Sequence, residues 1–459
     1  MTKTRSIDCA MRYDRTGASA LGRTGVAASF FVSISIDTWA IAAAAYGADR
    51  LRGAVEALHR SAMAEADNIL GLAVTDLRWT GAHRLALFVV APYEWPDDEG
   101  SRIFRSTLAL ESRVLQWILN RFSLPVEVDG ERFMLGVSAS INLATIADVQ
   151  KFDTAAVETV TDESDPVRFP ARSAGFLARG VQSVSDYRSA MDLAVRLYDM
   201  LDAGILTLSW QKIAASHNPE LILYAEGLLR SLTDESVITD PSGASRNPSA
   251  FRPGPSALAA EQAGVVRRLD SWVVSRVIER LRENPHLHLG CNISAHSVIM
   301  DAWWSEIVDQ LTLEPSIARR LVLEITESAS FPSLPMAVDF CHQMKALECR
   351  IAIDDFGTGR ATVSDIVALN PDMVKIDGSF LRWAAAGGAQ SPAKEELRHL
   401  VSFAQCRGRT VIMEGVENAE TREVAVRLGG QWLQGFDVAM PRLSAAMVTG
   451  RRVRRGNLG

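Results

Sequence analysis

A chain of 459 residues is too long for one average domain and suits two. With 47% apolar and 22% charged residues, it has the balance of a globular protein that buries a sizeable core, and no apolar run reaches the length of a membrane span. The net charge of −7 speaks against a basic surface for nucleic acid, so DNA is not an expected partner; a small phosphate ligand held by local charges or metals stays open.

The opening "MTKTRSIDCAMRYDR" lacks the apolar stretch of a signal peptide. Cys9, Cys291, Cys341, Cys349 and Cys406 are scattered without metal-ligand spacing and read as reduced thiols, so a cytoplasmic location is expected. The first half reads as a smaller mixed α/β domain, assigned to residues 12–185. Strands are expected at 28–37, 83–92 and 132–142, and helices at 48–66 and 101–122. Residues 152–175 lack periodicity and form a candidate linker. A helix at 186–204 leads into the second domain, assigned to 186–446. A Pro/Gly/Ser-rich stretch at 239–256 reads as a loop.

From there, strand-like and helical runs alternate. Strands are expected at 205–210, 220–229, 287–294, 320–327, 350–354, 372–377 and 410–415. Helices fall at 267–284, near 302–312, at 336–347, near 363–369, at 393–408 and near 419–428. So many alternations in about 250 residues favour a parallel α/β barrel over an open sheet.

In such a barrel, chemistry sits at the C-terminal ends of the strands. Glu226, Asn292, Glu324, Glu327, Asp354, Asp355, Lys375, Glu414 and Gln434 all fall at or near those ends. Taken singly, each has an ordinary explanation. A lone Asp-Asp after a strand is usually a cap or a solvated loop, and a lone Lys375 would be exposed. Together they put many carboxylates on one rim, where they repel and raise each other's pKa values unless cations intervene. Oxygen donors without His or Cys favour Mg²⁺ or Mn²⁺ over Zn²⁺. Two adjacent aspartates suit two metals and in-line displacement at phosphorus, with Asp354 bridging and Asp355 holding one of them. Ca²⁺ should inhibit, because its larger, looser coordination misplaces the water. Gly357 and Gly359 would let the following loop turn tightly over the site.

These residues sit in "AEGLLR" (225–230), "NIS", "EITES", "DDFGTG", "VKID", "EGVE" and "LQGF", in that order. The series resembles the EAL domain, the phosphodiesterase of bacterial cyclic di-GMP signalling, over residues 186–446. The resemblance implies a modified (βα)8 TIM-like barrel with one antiparallel strand, and hydrolysis of cyclic di-GMP to pGpG. It implies that Glu226, Asn292, Glu324 and Asp354 hold a first metal, and Asp354 and Asp355 a second with Glu414 near it. Lys375 and Glu414 would order or deprotonate the attacking water, with Gln434 beside it. Glu327 would hold the loop after Asp355. Arg230 would bind a substrate phosphate within a Glu226–Leu228–Arg230 frame, and Gln211 a guanine. Gly227 replaces the usual alanine, a change of one methyl group. Lys212 replaces a proline after Gln211. A homodimer through this domain is also implied. The alternative is a receptor or scaffold that binds the dinucleotide without cutting it, and a further regulatory protein partner is compatible with either.

The first half is similar to the GGDEF diguanylate cyclase domain, through "YDRTG" (13–17), "ISIDTW" and "YGADRL". The signature loop is replaced by Gly81-Ala82-His83-Arg84-Leu85, and Ala73 stands where an inhibitory-site arginine would precede Asp76. His83 and Arg84 cannot serve as hard-metal ligands. A catalytically inactive domain is therefore expected, with Asp37 now structural.

Overall fold

The computed structural model describes residues 26–65, 73–74, 78–81, 83–92, 107–143, 183–232, 253–358, 362–387, 391–406, 409–443 and 451–452. The expected linker at 152–175, the motif at 13–17, Cys9, Asp76, Ala82 and Gly359 lie outside them. The chain divides into two compact units.

The first unit is built on an antiparallel sheet. Its strands are β1 (Val26–Ile36), β2 (Ala73–Val74), β3 (Arg78–Trp79), β4 (Arg84–Pro92) and β7 (Val137–Leu143). The order is β2-β4-β1-β7, with β3 also on β4. A separate ribbon pairs β5 (Val126–Val128) with β6 (Glu131–Phe133). The expected strand at 132–142 is therefore two strands in two sheets. Helices α1 (Trp39–Tyr46), α2 (Ala48–Glu65) and α3 (Thr107–Phe122) accompany the sheet. In α2 the residues Leu51, Val55, Leu58 and Ala62 recur at helical spacing and are buried. Helix α1, "WAIAAAAY", is apolar nearly all round, so no periodicity announced it. The segments Gln262–Arg268 and Asp301–Asp309 belong to this unit too. Within it, Arg267 and Asp301 form a buried two-pronged ion pair, and the Trp303 indole donates to the Val137 carbonyl at 3.0 Å.

The second unit is a closed eight-stranded barrel. It comprises β8 (Leu206–Ala215), β9 (Asn218–Ser231), β10 (Leu289–Ser294), β11 (Leu321–Thr326), β12 (Arg350–Phe356), β13 (Met373–Ile376), β14 (Thr410–Met413) and β15 (Trp432–Leu433). These run in the order β10-β11-β12-β13-β14-β15-β8-β9, and β9 pairs with β10 to close the ring. Only β8 runs against its neighbours, antiparallel to both β15 and β9. A further short strand, β16 (Arg451–Arg452), pairs with β9 outside the ring. Helix α4 (Val184–Asp202) leads into β8, and the parallel strands are joined by helices α5–α13: α5 (Pro253–Gln262), α6 (Arg267–Glu283), α7 (Ser305–Leu313), α8 (Pro315–Ala318), α9 (Leu334–Ala346), α10 (Val363–Leu369), α11 (Gly378–Ala386), α12 (Pro392–Gln405) and α13 (Ala419–Arg427). Helices α5, α8 and α11 were not expected, and α5 begins inside the stretch read as a loop. Strands β8 and β9 are longer than read, because they form one hairpin across Ser216–His217.

Strands covered on both faces read as near-continuous apolar runs, as in "LVLEIT". Ile213, Tyr224, Val322, Ala352, Met373, Ile412 and Trp432 are buried together in one cluster. These layers of inward side chains make a packed core that supports the polar strand ends.

Candidate active site

Strand geometry places the site. Side chains on a strand alternate faces, so Glu226, Leu228 and Arg230 share one face of β9. Gln211 lies directly across from Glu226 in the β8–β9 register. Asn292 of β10 stands beside Glu324 of β11, and Glu324 beside Ala352 of β12. Lys375 lies in β13, and Glu414 follows β14 directly.

Lys375 is fully buried and its Nζ reaches four carboxylates. They are Glu324 at 2.7 Å, Asp354 and Glu414 at 2.8 Å, and Glu226 at 3.0 Å. Glu226 also accepts from Asn292 Nδ2 and from Gln434 Nε2, both at 2.6 Å. Gln434 Nε2 lies 3.3 Å from Gln211 Oε1, and Gln211 donates to the Ala439 carbonyl at 3.0 Å. Arg230 donates to the Leu229 carbonyl at 2.8 Å. Glu327 is buried at the end of β11.

Asp354 and Asp355 are neighbours in a strand, and an ordinary strand would point them to opposite faces. The β12–β13 register breaks between Ile353 and Phe356, and Asp355 has φ +53°. This bulge with a left-handed residue turns both carboxylates towards one place. Gly357 continues the turn at φ +101°; a Cβ there would come within 2.6 Å of the Phe380 ring.

The carboxylates form two groups, Glu226–Glu324–Asp354 and Asp354–Asp355–Glu414, each with ligand atoms within 4.8 Å of one another. Asp354 is common to both. The five acids outnumber the single ammonium, and their ionisation shows it. Burial lowers the Lys375 pKa, but Asp354, Glu226, Glu324 and Glu414 outweigh it and hold the pKa well above the ordinary lysine value. Burial, then the charge of Glu226, pushes Glu324 well up. Burial also raises Glu414 and Asp354 against the pull of Lys375. Burial and then Asp354 lift Asp355 to about 7. Glu226 alone is lowered: burial opposes its charge, but Lys375 and the hydrogen bonds from Gln434 and Asn292 prevail.

Such a cluster fits divalent cations. Both groups are all oxygen, the donor set of Mg²⁺ or Mn²⁺. The amide oxygens Asn292 Oδ1 and Gln434 Oε1 are buried without hydrogen-bond partners. Each is a neutral oxygen donor left over after its nitrogen binds Glu226.

Some contributors escaped the sequence reading. Tyr224 is buried two residues before Glu226 on the same face, and its hydroxyl has no hydrogen-bond partner. A Cβ at Gly290 would meet Glu324 Oε1 at 2.5 Å and Tyr224 Cε2 at 2.6 Å. Gly290 therefore makes room for a site carboxylate, a requirement visible only once β10 and β11 are paired. Gly227 is less neutral than expected. A methyl there would lie 3.0 Å from Trp210 Cζ3, so the indole occupies part of the alanine's space.

In the first unit, Asp37 accepts from Ser138 Oγ at 2.9 Å. Thr80, Gly81 and His83 lie between β3 and β4, where the Thr80 amide donates to the Arg84 carbonyl at 3.0 Å. The His83 carbonyl accepts from the Ile36 amide at 2.9 Å, next to Asp37.

The EAL domain family profile matches residues 194–441, more than half of the chain. The chain belongs to the EAL domain family. It is 31% identical over 199 residues to the cyclic di-GMP phosphodiesterase PdeF of Escherichia coli (strain K12), covering 42% of this chain and 26% of that protein. It is 41% identical over 120 residues to the cyclic di-GMP phosphodiesterase TpdA of Vibrio parahaemolyticus, covering 26% of this chain and 20% of that protein. The chain thus spans well under half the length of these two relatives. A solved structure named "PaMucR Phosphodiesterase, c-di-GMP complex" is 24% identical and covers 56% of this chain and 99% of its own, with a TM-score of 0.46. Among the described residues, no helix is long and apolar enough to cross a membrane.

Proposed function

We propose that the EAL unit hydrolyses cyclic di-GMP to pGpG with two divalent cations, Mg²⁺ or Mn²⁺. The observation that carries this reading is the pair of carboxylate groups that share Asp354. Glu226, Asn292, Glu324 and Asp354 would hold one cation, and Asp354, Asp355 and Glu414 the other. Bound there, the cations supply charge neutralisation and water activation. The chain's own groups do the rest. Arg230 and Gln211 orient the dinucleotide by a phosphate and a guanine. Lys375 and Glu414 hold the attacking water, and Glu414 takes its proton. Water then attacks phosphorus in line; the new P–O bond forms as the bond to the 3′ oxygen breaks, and the departing 3′ oxygen takes up a proton from solvent water. Glu327 secures the loop after Asp355.

The filled set of acidic ligands supports an enzyme over a receptor. The first unit is assigned no cyclase activity, because His83 and Arg84 stand in the signature loop with Asp37 already engaged by Ser138. One experiment addresses both units. Purified protein is incubated with Mg²⁺ or Mn²⁺ and either cyclic di-GMP or GTP, and the nucleotides are separated. Linear pGpG from the first substrate and no product from the second are expected. Cyclic di-GMP that is bound but left intact would favour the receptor, and cyclic di-GMP made from GTP would overturn the inactive assignment.

A further inference from the structure

Glu261 and Asp270 are buried carboxylates outside the cation groups. Glu261 is the penultimate residue of α5, a helix with no basic residue in its last turn. An acid there opposes the helix dipole, so helix stability does not explain it. Its contacts offer a better account. Glu261 Oε1 accepts from Ser294 Oγ, and from Ser328 Oγ at 3.0 Å. Ser294 lies two residues after Asn292, on the same face of β10. Ser328 directly follows Glu327. The β10–β11 register sets Asn292 beside Glu324 and Ser294 beside Thr326, and Thr326 Oγ1 lies 3.1 Å from Ser328 Oγ. A single carboxylate oxygen therefore joins the ends of the two strands that carry Asn292, Glu324 and Glu327. Asp270 secures the turn that follows, accepting from the Ser294 amide at 3.0 Å and Ser297 Oγ at 2.6 Å.

We propose that Glu261 is a positioning residue whose carboxylate clamps the ends of β10 and β11 and so holds Asn292 and Glu327 in register with the cation groups. Its consequence for turnover rests on the phosphodiesterase reading; its consequence for cation affinity does not. Hydrogen bonds made directly to metal ligands typically change metal affinity or activity by ~10- to 100-fold when removed; Glu261 acts through Ser294 and Ser328, so the lower end of that range is expected.

The test uses the full chain, with Mn²⁺ binding followed by electron paramagnetic resonance and calorimetry beside hydrolysis at varied Mn²⁺. Glu261→Ala is expected to weaken Mn²⁺ binding at least ~10-fold and to raise the Mn²⁺ needed for half-maximal rate in parallel. Glu261→Gln, whose amide oxygen still accepts both hydroxyls, is expected to stay within about threefold of the parent. Unchanged Mn²⁺ affinity in Glu261→Ala, or equal damage in Glu261→Gln, would overturn the clamp. Should Glu261→Ala fail to fold, Ser328→Ala decides: a loss of ~3- to 5-fold in Mn²⁺ affinity supports the clamp and no loss refutes it. If the parent binds Mn²⁺ but leaves cyclic di-GMP intact, the reaction assignment falls, while a weakened Glu261→Ala still supports the clamp.

Discussion

Asp354 and Asp355 show what a single residue's setting can do. Asp355 has a carboxyl held at about 7, by burial first and by Asp354 second, against an ordinary value of about 3.9. A carboxylate raised in the folded state adds stability that is fully present below its unfolded pKa and lost as pH rises through the folded one. With cations chelated, this group should therefore erode stability between about pH 4 and pH 7. Bound Mn²⁺ takes the proton's place, so its stabilising effect should grow across the same window. Melting temperatures with EDTA and with Mn²⁺ at pH 5 and pH 8 would show a larger Mn²⁺ increment at pH 8, and Asp355→Asn should flatten the difference. An increment independent of pH would contradict this. Glu414 has a different task in the proposed reaction. Glu414→Ala should lower turnover by ~10²-fold or more and still bind cyclic di-GMP in calorimetry, because Arg230 and Gln211 remain. Near-normal turnover would remove Glu414 from the water's side of the mechanism.

At the scale of elements, β12 decides the geometry of the site. Its sequence "RIAIDDF" reads as a strand that ends in a polar pair, and the structure turns that ending into a bulge. The left-handed Asp355 and Gly357 at φ +101° aim the second carboxylate, and Phe380 from α11 closes over the glycine. Gly357→Ala combines an unfavourable backbone with a Cβ 2.6 Å from that ring. It should cost about 1–3 kcal/mol in urea unfolding and reduce activity beyond the loss of folded protein, because Asp355 is displaced. Wild-type stability with wild-type activity would show that the loop accommodates the methyl. The Gly-rich ending was legible as a turn. Which glycine bears the packing was not, because Phe380 lies 23 positions on in sequence.

At the scale of the whole molecule, a carboxylate-lined barrel is joined by the chain to an antiparallel unit whose hairpin tip carries His83. The resemblance also implies pairing of two EAL domains. Val363 and Val367, one turn apart on α10 just after the bulge loop, are 55% and 37% exposed. A second copy that covered them would favour one arrangement of the loop, provided the two arrangements differ in dimer contacts. Specific activity should then rise with protein concentration across the dimer range seen in sedimentation velocity, and Val367→Asp should lower both. Full activity from a strictly monomeric protein would end this idea.

The sequence alone pointed to the strand–helix alternation of a barrel and to the residues of its polar rim, while closure of the ring came from the pairing of β9 with β10. Alternating β-type and helical runs are local, and Glu226, Asn292, Glu324, Asp354, Lys375 and Glu414 each sit at a strand end that local pattern can find. The hairpin β8–β9 and helix α1 were harder, because a long apolar run carries no period to mark its limits. Tertiary structure decided the rest. Only paired strands bring Lys375 within 3.0 Å of four acids, and only the bulge lets adjacent aspartates share a face. Gly290 and Glu261 matter through partners far away in the chain, at Glu324, Ser294 and Ser328. Such roles are fixed by register and packing between strands, which no window along the sequence contains.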